Sequence, residues 1–115
     1  ANTIPPADPY AIRTVPSVKK STKLSTIEQY VLNAEAFAQT HGSAWVIFVF
    51  HHLCDAHMRC GPYVISPANF SAFLDFLHSQ AANGVVVKTL AGVMDGPVKG
   101  KCDPVSGTGC DTTPR

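Results

Sequence analysis

The chain has 115 residues, the length of one domain built on a single core. Hydrophobic residues make up 45% and charged ones 15%, a balance that excludes intrinsic disorder and points to a packed globular body. The formal charge of +1, with basic residues scattered apart from Lys19-Lys20 and the nearby Lys99 and Lys101, excludes a nucleic-acid surface.

Residues 1–23 carry four prolines and no sustained periodicity. Proline fixes φ and removes a backbone donor, so this stretch is predicted as an extended surface segment with a short strand near Tyr10–Thr14. Ser25-Thr26-Ile27-Glu28 has the form of a capping box, a serine with a glutamate three residues on. Ile27, Tyr30, Val31, Ala34 and Ala38 then recur at helical spacing, which predicts a helix over 25–40 that stops at His41-Gly42.

Trp45 to Phe50 is a continuous run of six apolar residues. Such runs mark strands buried on both faces, as in the parallel sheets of α/β folds. Residues 52–64 read as a loop. Ser66-Pro67 is an N-cap followed by proline at the first helical position, and Phe70, Phe73, Leu74 and Leu77 form the buried stripe of the helix it starts. Asn83-Gly84 stops that helix, Val85–Thr89 is the next predicted strand, and Leu90–Met94 is a helical turn closed by Asp95-Gly96-Pro97. The tail from Lys99 is rich in Gly, Pro and Thr. The chain thus divides into an extended segment 1–23, a folded body 24–98 and a tail 99–115.

Two apolar strands joined by a helix predict a right-handed parallel βαβ unit. Two or three such strands cannot cover both of their own faces with only two helices. The cover is expected from another chain or from a larger domain of which this is a piece. The longest apolar run, Ala44 to Phe50, is far too short to span a membrane, so a soluble chain is expected. No signal sequence opens the chain, and it begins at Ala1 rather than Met, which points to a processed product or an excised piece.

The four cysteines fall as two close pairs, Cys54 with Cys60 and Cys102 with Cys110. Even count and short spacing favour two local disulfides, the second stapling the tail, and with them an oxidising, extracellular compartment. Zinc is the rival reading, because His51, His52, His57 and Asp55 crowd the first pair. C-x5-C fits the usual spacing of structural zinc sites poorly.

The apolar run ends abruptly in His51 and His52, the pattern of a buried strand delivering polar groups to a site. "GSAWVIFVFHHLCD", "YVISPANFSAFLDFLHSQ" and "VVVKTLAGVM" together resemble the C-terminal end of polysaccharide deacetylases with a NodB homology domain, a carbohydrate esterase family. The similarity is to the bacterial branch whose last barrel strand reads like "GGWVxxVFHxxCD". "PPADPYAIRTV" looks like the segment entering that branch's penultimate α/β unit, so the resemblance covers residues 2–98. It implies that the chain holds the last βα units of a distorted (β/α)7 barrel, incomplete on its own. It also implies a chemistry, the metal-dependent removal of acetyl groups from a carbohydrate substrate. In that family an Asp and two His hold a divalent metal, for which zinc is the favoured ion here, an Asp is the base, and a His after the last strand is the acid.

Carried over residue by residue, the final motif falls on Val49-Phe50-His51. The resemblance makes His51 the catalytic acid and Val49 part of the substrate pocket, although Val stands where the family more often has Leu. Strand alternation would place Val49 and His51 on one face and Phe50 and His52 on the other. An imidazole titrates near neutrality, which suits a proton donor to the leaving atom. The family's metal site needs a "TFDD"-like strand end and a His-x-x-x-His pair. Neither occurs here, since no two of His41, His51, His52, His57 and His78 are four apart. The metal and the base are therefore expected on an N-terminal part, as a separate or cleaved chain, unless the chain self-associates, and none is expected to bind this chain alone. His52 and His57 read as loop residues and His78 as a solvated helix residue. Asp55 reads as a loop-capping side chain or an orienter of an imidazole, and Asp8 and Arg13 as weak candidates to line the cleft.

Two other readings stay open: a non-catalytic structural or binding subunit, and a small extracellular metal-binding protein using the His/Cys cluster.

Overall fold

The computed structural model describes residues 1–8, 10–55 and 59–94. The order of elements is α1 (Leu24–His41), β1 (His52–Leu53), β2 (Val64–Ile65), α2 (Pro67–Ser79), a 3-10 turn (Gln80–Asn83) and α3 (Leu90–Met94). This is a small domain of mixed helix and strand. His57, the Asp95-Gly96-Pro97 stop and the tail lie outside the described residues. So do Cys102 and Cys110, and with them the second of the two predicted disulfides.

Both main helices form, with different starts. α1 begins one residue ahead of the predicted boundary, and its N-cap is Lys23, whose side chain caps nothing. Ser25 falls inside the first turn, so the predicted capping box does not form. Its C-terminus is sharp: Gly42 takes φ 84° and donates its N–H to Ala38 O at 2.8 Å, a left-handed conformation that glycine adopts without steric cost. α2 starts as its sequence predicts, with Ser66 Oγ accepting from Asn69 N at 3.1 Å and Pro67 at the first position.

Val18, Ile27, Val31, Ile65 and Phe73 form the buried cluster, with Phe48, Phe50, Phe70 and Leu77 among the half-buried residues packed on it. Phe48 and Phe50 act as rivets between the extended segment and the helices. The Phe48 ring lies edge-on to Phe73 with centroids 5.1 Å apart, and Phe50 meets Phe70 at 5.3 Å and 81°. Such edge-to-face pairs add about 0.5–1.5 kcal/mol each beyond their buried area. Leu74, predicted as part of the α2 core stripe, is instead 48% exposed.

The sheet departs most from the sequence reading. Trp45–Phe50 is extended and half-buried along its whole length, and a regular ladder does not form there. It is tied down at separate points. Asn2 and Trp45 exchange both backbone bonds at 2.8 Å, Val15 N donates to Ile47 O at 3.2 Å, and Val18 N donates to Val49 O at 3.0 Å. The neighbouring segment carries Pro16, which has no N–H to give, so continuous pairing is interrupted there. The short strand predicted near Tyr10–Thr14 is replaced by a turn: Asp8 Oδ1 accepts from Tyr10 N at 2.9 Å, and Tyr10 is 98% exposed.

The parallel βαβ unit is also corrected. Val85–Thr89 forms no ladder, and Val86 and Val87 are 68% and 77% exposed, because among the described residues no strand lies alongside them. The parallel pair that does form is β1 with β2, His52 opposite Val64 and Leu53 opposite Ile65, at the two ends of the stretch 52–64 predicted as a loop, with Ile65 one residue beyond it. Cys54 N extends the pairing to Ile65 O at 3.0 Å. Among the described residues no helix is long and apolar enough to cross a membrane.

Candidate functional site

Three stretches remote in sequence meet around His51. Residues 17–20 are held between two others by the Val18 N–Val49 O bond and by Lys20 N donating to Pro62 O at 2.7 Å. Lys19 and Thr22 close a turn on each other: Thr22 Oγ1 accepts from Lys19 N, and Thr22 N donates to Lys19 O, both at 2.9 Å. These bonds set Ser17 and Lys19 beside the end of the Trp45–Phe50 segment and beside Tyr63, next to β2.

His51 follows the two phenylalanines that face the core, and its own ring is exposed. Its Nε2 lies 3.4 Å from Ser17 Oγ. Its ring centroid is 5.0 Å from that of Tyr63, with the planes at 58°. The Lys19 ammonium sits over the Tyr63 ring, 5.2 Å from the centroid, a cation–π contact. Val49 is half-buried and, two residues before His51, shares its side of the extended chain. An imidazole, a hydroxyl, a phenol ring and an ammonium thus share one accessible patch. Together they can donate or accept a proton and present an aromatic surface.

Three residues after His51 the chain is stapled by the Cys54–Cys60 disulfide, whose Cα atoms are 6.4 Å apart. The bond takes both sulfurs, so this pair cannot serve as zinc thiolates. Closing so short a loop removes about 2–3 kcal/mol of freedom from the unfolded chain in the chain-entropy account. It also restrains the loop that returns to Tyr63. Of the two predicted bridges this is the one within the described residues, whereas the pairing of Cys102 with Cys110 falls beyond them.

The remaining candidates fall elsewhere. His52 is exposed and serves as a strand residue of β1. His41 closes the end of α1, stacked on Phe37 at 3.8 Å with Nδ1 3.0 Å from Phe37 O. Asp55 is exposed. Asp8 is a turn residue, and Arg13 is engaged through its backbone with Asn2. His78 sits on the rim of an open apolar groove of about 420 Å3 lined by Leu74, Leu77, Ala81 and Val85 to Val87. Among the described residues no group of three or more His, Cys, Asp and Glu side chains is placed to hold a metal ion.

Ser17, Lys19 and Tyr63 were missed by the sequence reading. No local pattern marks them, because only the long-range backbone bonds of residues 18 and 20 bring them to His51. Comparison with protein-family models, with curated proteins and with solved structures finds no match.

Proposed function

We propose that this chain is the C-terminal portion of a secreted, polysaccharide deacetylase-like hydrolase. In this reading it contributes the last βα units of a NodB-type barrel and the acid His51, and it works only with an N-terminal part. The observation that carries the reading is the placement of His51. It ends an apolar segment whose phenylalanines are committed to the core, yet its own ring is exposed beside Tyr63. There His51 protonates the amine or alkoxide leaving a sugar as the acetyl group is removed, while Val49 and the Tyr63 ring wall the pocket on this side.

The divalent metal of such enzymes does not fit this chain's described residues, which bring no ligand set together and hold Cys54 and Cys60 in a disulfide. Its ligands and the base belong to the N-terminal part.

The test is to isolate the chain from its source under native conditions and weigh the assembly. The reading expects a partner carrying an Asp-Asp strand end and a His-x-x-x-His pair, and release of acetate from N- or O-acetylated oligosaccharides by the pair. A native assembly that holds no such partner sinks it.

A second reading, a non-catalytic subunit that completes another chain's sheet, draws on the open groove and the exposed Val86 and Val87. It expects a stable complex with a chain of any type, and activity indifferent to His51.

A further inference from the structure

We propose that Ser17 is a positioning residue for His51: its hydroxyl donates to Nε2 and holds the neutral ring as the Nδ1–H tautomer, so that Nδ1 is the nitrogen offered to a bound group. The consequence for proton transfer rests on the deacetylase reading, whereas the tautomer itself does not.

The geometry supplies the argument. Ser17 Oγ is the hydrogen-bond partner of the His51 ring among the described residues, and it engages Nε2 at 3.4 Å. Nδ1 has no partner there. Which nitrogen of a neutral imidazole carries the proton is set by the bond the other one makes. A serine hydroxyl can act as donor or acceptor. The imidazole lone pair is a stronger acceptor than a hydroxyl oxygen, so O–H···Nε2 is the better of the two arrangements, and it leaves the ring proton on Nδ1. The distance is at the long end of hydrogen bonding, as catalytic bonds often are before substrate seats and tightens them.

The hydroxyl is well placed to impose this choice. Its backbone is pinned on both sides, by the Val15 N–Ile47 O and Val18 N–Val49 O bonds, and these anchor it to the same segment that ends in His51. Ser17 itself is half-buried. The Tyr63 ring at 5.0 Å limits the swing of the imidazole on its other side. Lys19, over Tyr63, adds a positive charge to the patch, which favours an acceptor atom of the ligand approaching the exposed Nδ1–H. A sugar nitrogen or oxygen acquiring negative charge as it leaves is such an atom. For proton transfer the ring first takes a proton at Nε2, where the Ser17 hydroxyl turns from donor to acceptor. The imidazolium then gives its Nδ1 proton to the leaving atom, and the neutral ring left behind is reprotonated from solvent.

The test reads the tautomer directly. Long-range 1H–15N correlation on the 15N-labelled full chain, in the assembly in which it purifies and at a pH where the imidazoles are neutral, distinguishes the two ring nitrogens of each histidine. His51 is expected to show the Nδ1–H pattern. Ser17→Ala is expected to move it toward Nε2–H, Ser17→Thr to restore the original pattern, and the His41 and His78 signals to report that the fold is intact. An Nε2–H pattern for His51 in the parent chain, or one unaffected by Ser17→Ala, overturns the proposal. In an active assembly Ser17→Ala should also lower kcat by roughly 10-fold with KM unchanged, less than the roughly 10^2–10^4 that loss of the general acid itself costs, because the acid remains and only its orientation is lost. A correct tautomer without any acetate release would sink the deacetylase reading and leave the Ser17 assignment standing.

Discussion

Asn2 binds two separate stretches of chain at once. Its backbone exchanges both bonds with Trp45, while its side chain gives Nδ2–H to Arg13 O at 2.8 Å and accepts from Arg13 N at 3.0 Å. The amide thus imitates a strand residue toward Arg13, and it does so at only 9% exposure. Asn2→Ala leaves a partly buried N–H and C=O without these partners, which should cost about 1–3 kcal/mol in a denaturant titration. Asn2→Asp keeps the acceptor, loses the donor and should fall between. Nothing in the sequence signals this role, because the partners lie 11 and 43 residues away. His51 is different: the end of an apolar run marked it at once. Within the proposed enzyme, His51→Ala should lower kcat by roughly 10^2–10^4 with metal affinity unchanged. His52→Ala should cost little, since His52 is an exposed residue of β1. Reversed effects would mean that the strand register is off by one, and if neither change mattered the strand end would be scaffold.

The two serines that looked like helix caps separate the elements into what is readable and what is not. Ser66 accepts from Asn69 N, so Ser66→Ala should cost about 1 kcal/mol, the usual worth of an N-cap bond. Ser25 lies in the first turn of α1, after the N-cap Lys23. Ser25→Ala should therefore change the melting temperature little, or raise it slightly, since alanine is the better helix former. Equal destabilisation by both changes would contradict the start of α1. The helices themselves were legible because their apolar spacing is a local property. So are the left-handed glycines, Gly42 closing α1 and Gly84 closing the 3-10 turn that follows α2, whose own end comes earlier, at Ser79. The extended elements were not. A strand exists only by virtue of its neighbours, and the same β-branched composition that packs Val85 on the core leaves Val86 and Val87 in solvent. β2 was missed for the opposite reason. Val64-Ile65 is too short to show a period, and its place is decided by pairing with His52-Leu53 and by burial of both side chains.

The described residues bury few apolar side chains for their number. Seven apolar residues are buried among the described residues, whereas ten large ones are exposed, including Leu53, Leu74, Val86, Val87 and Leu90. Apolar surface is worth about 25 cal/mol per Å2 removed from water, so this much open surface invites cover. Sedimentation of the isolated chain should show self-association or heterogeneity, and replacing Val86 and Val87 together by Lys should reduce it without loss of helix. A monodisperse, cooperatively melting monomer would refute the idea that these units need a partner. The bond between Asn2 and Trp45 has one more consequence, a spectroscopic one. Trp45 is the single tryptophan of the chain, and it is half-buried where the first residues dock. Its fluorescence therefore watches one junction, while far-ultraviolet ellipticity watches α1 and α2. An emission red shift that precedes the loss of ellipticity would mean that the N-terminal segment peels away first and leaves a helical remnant behind.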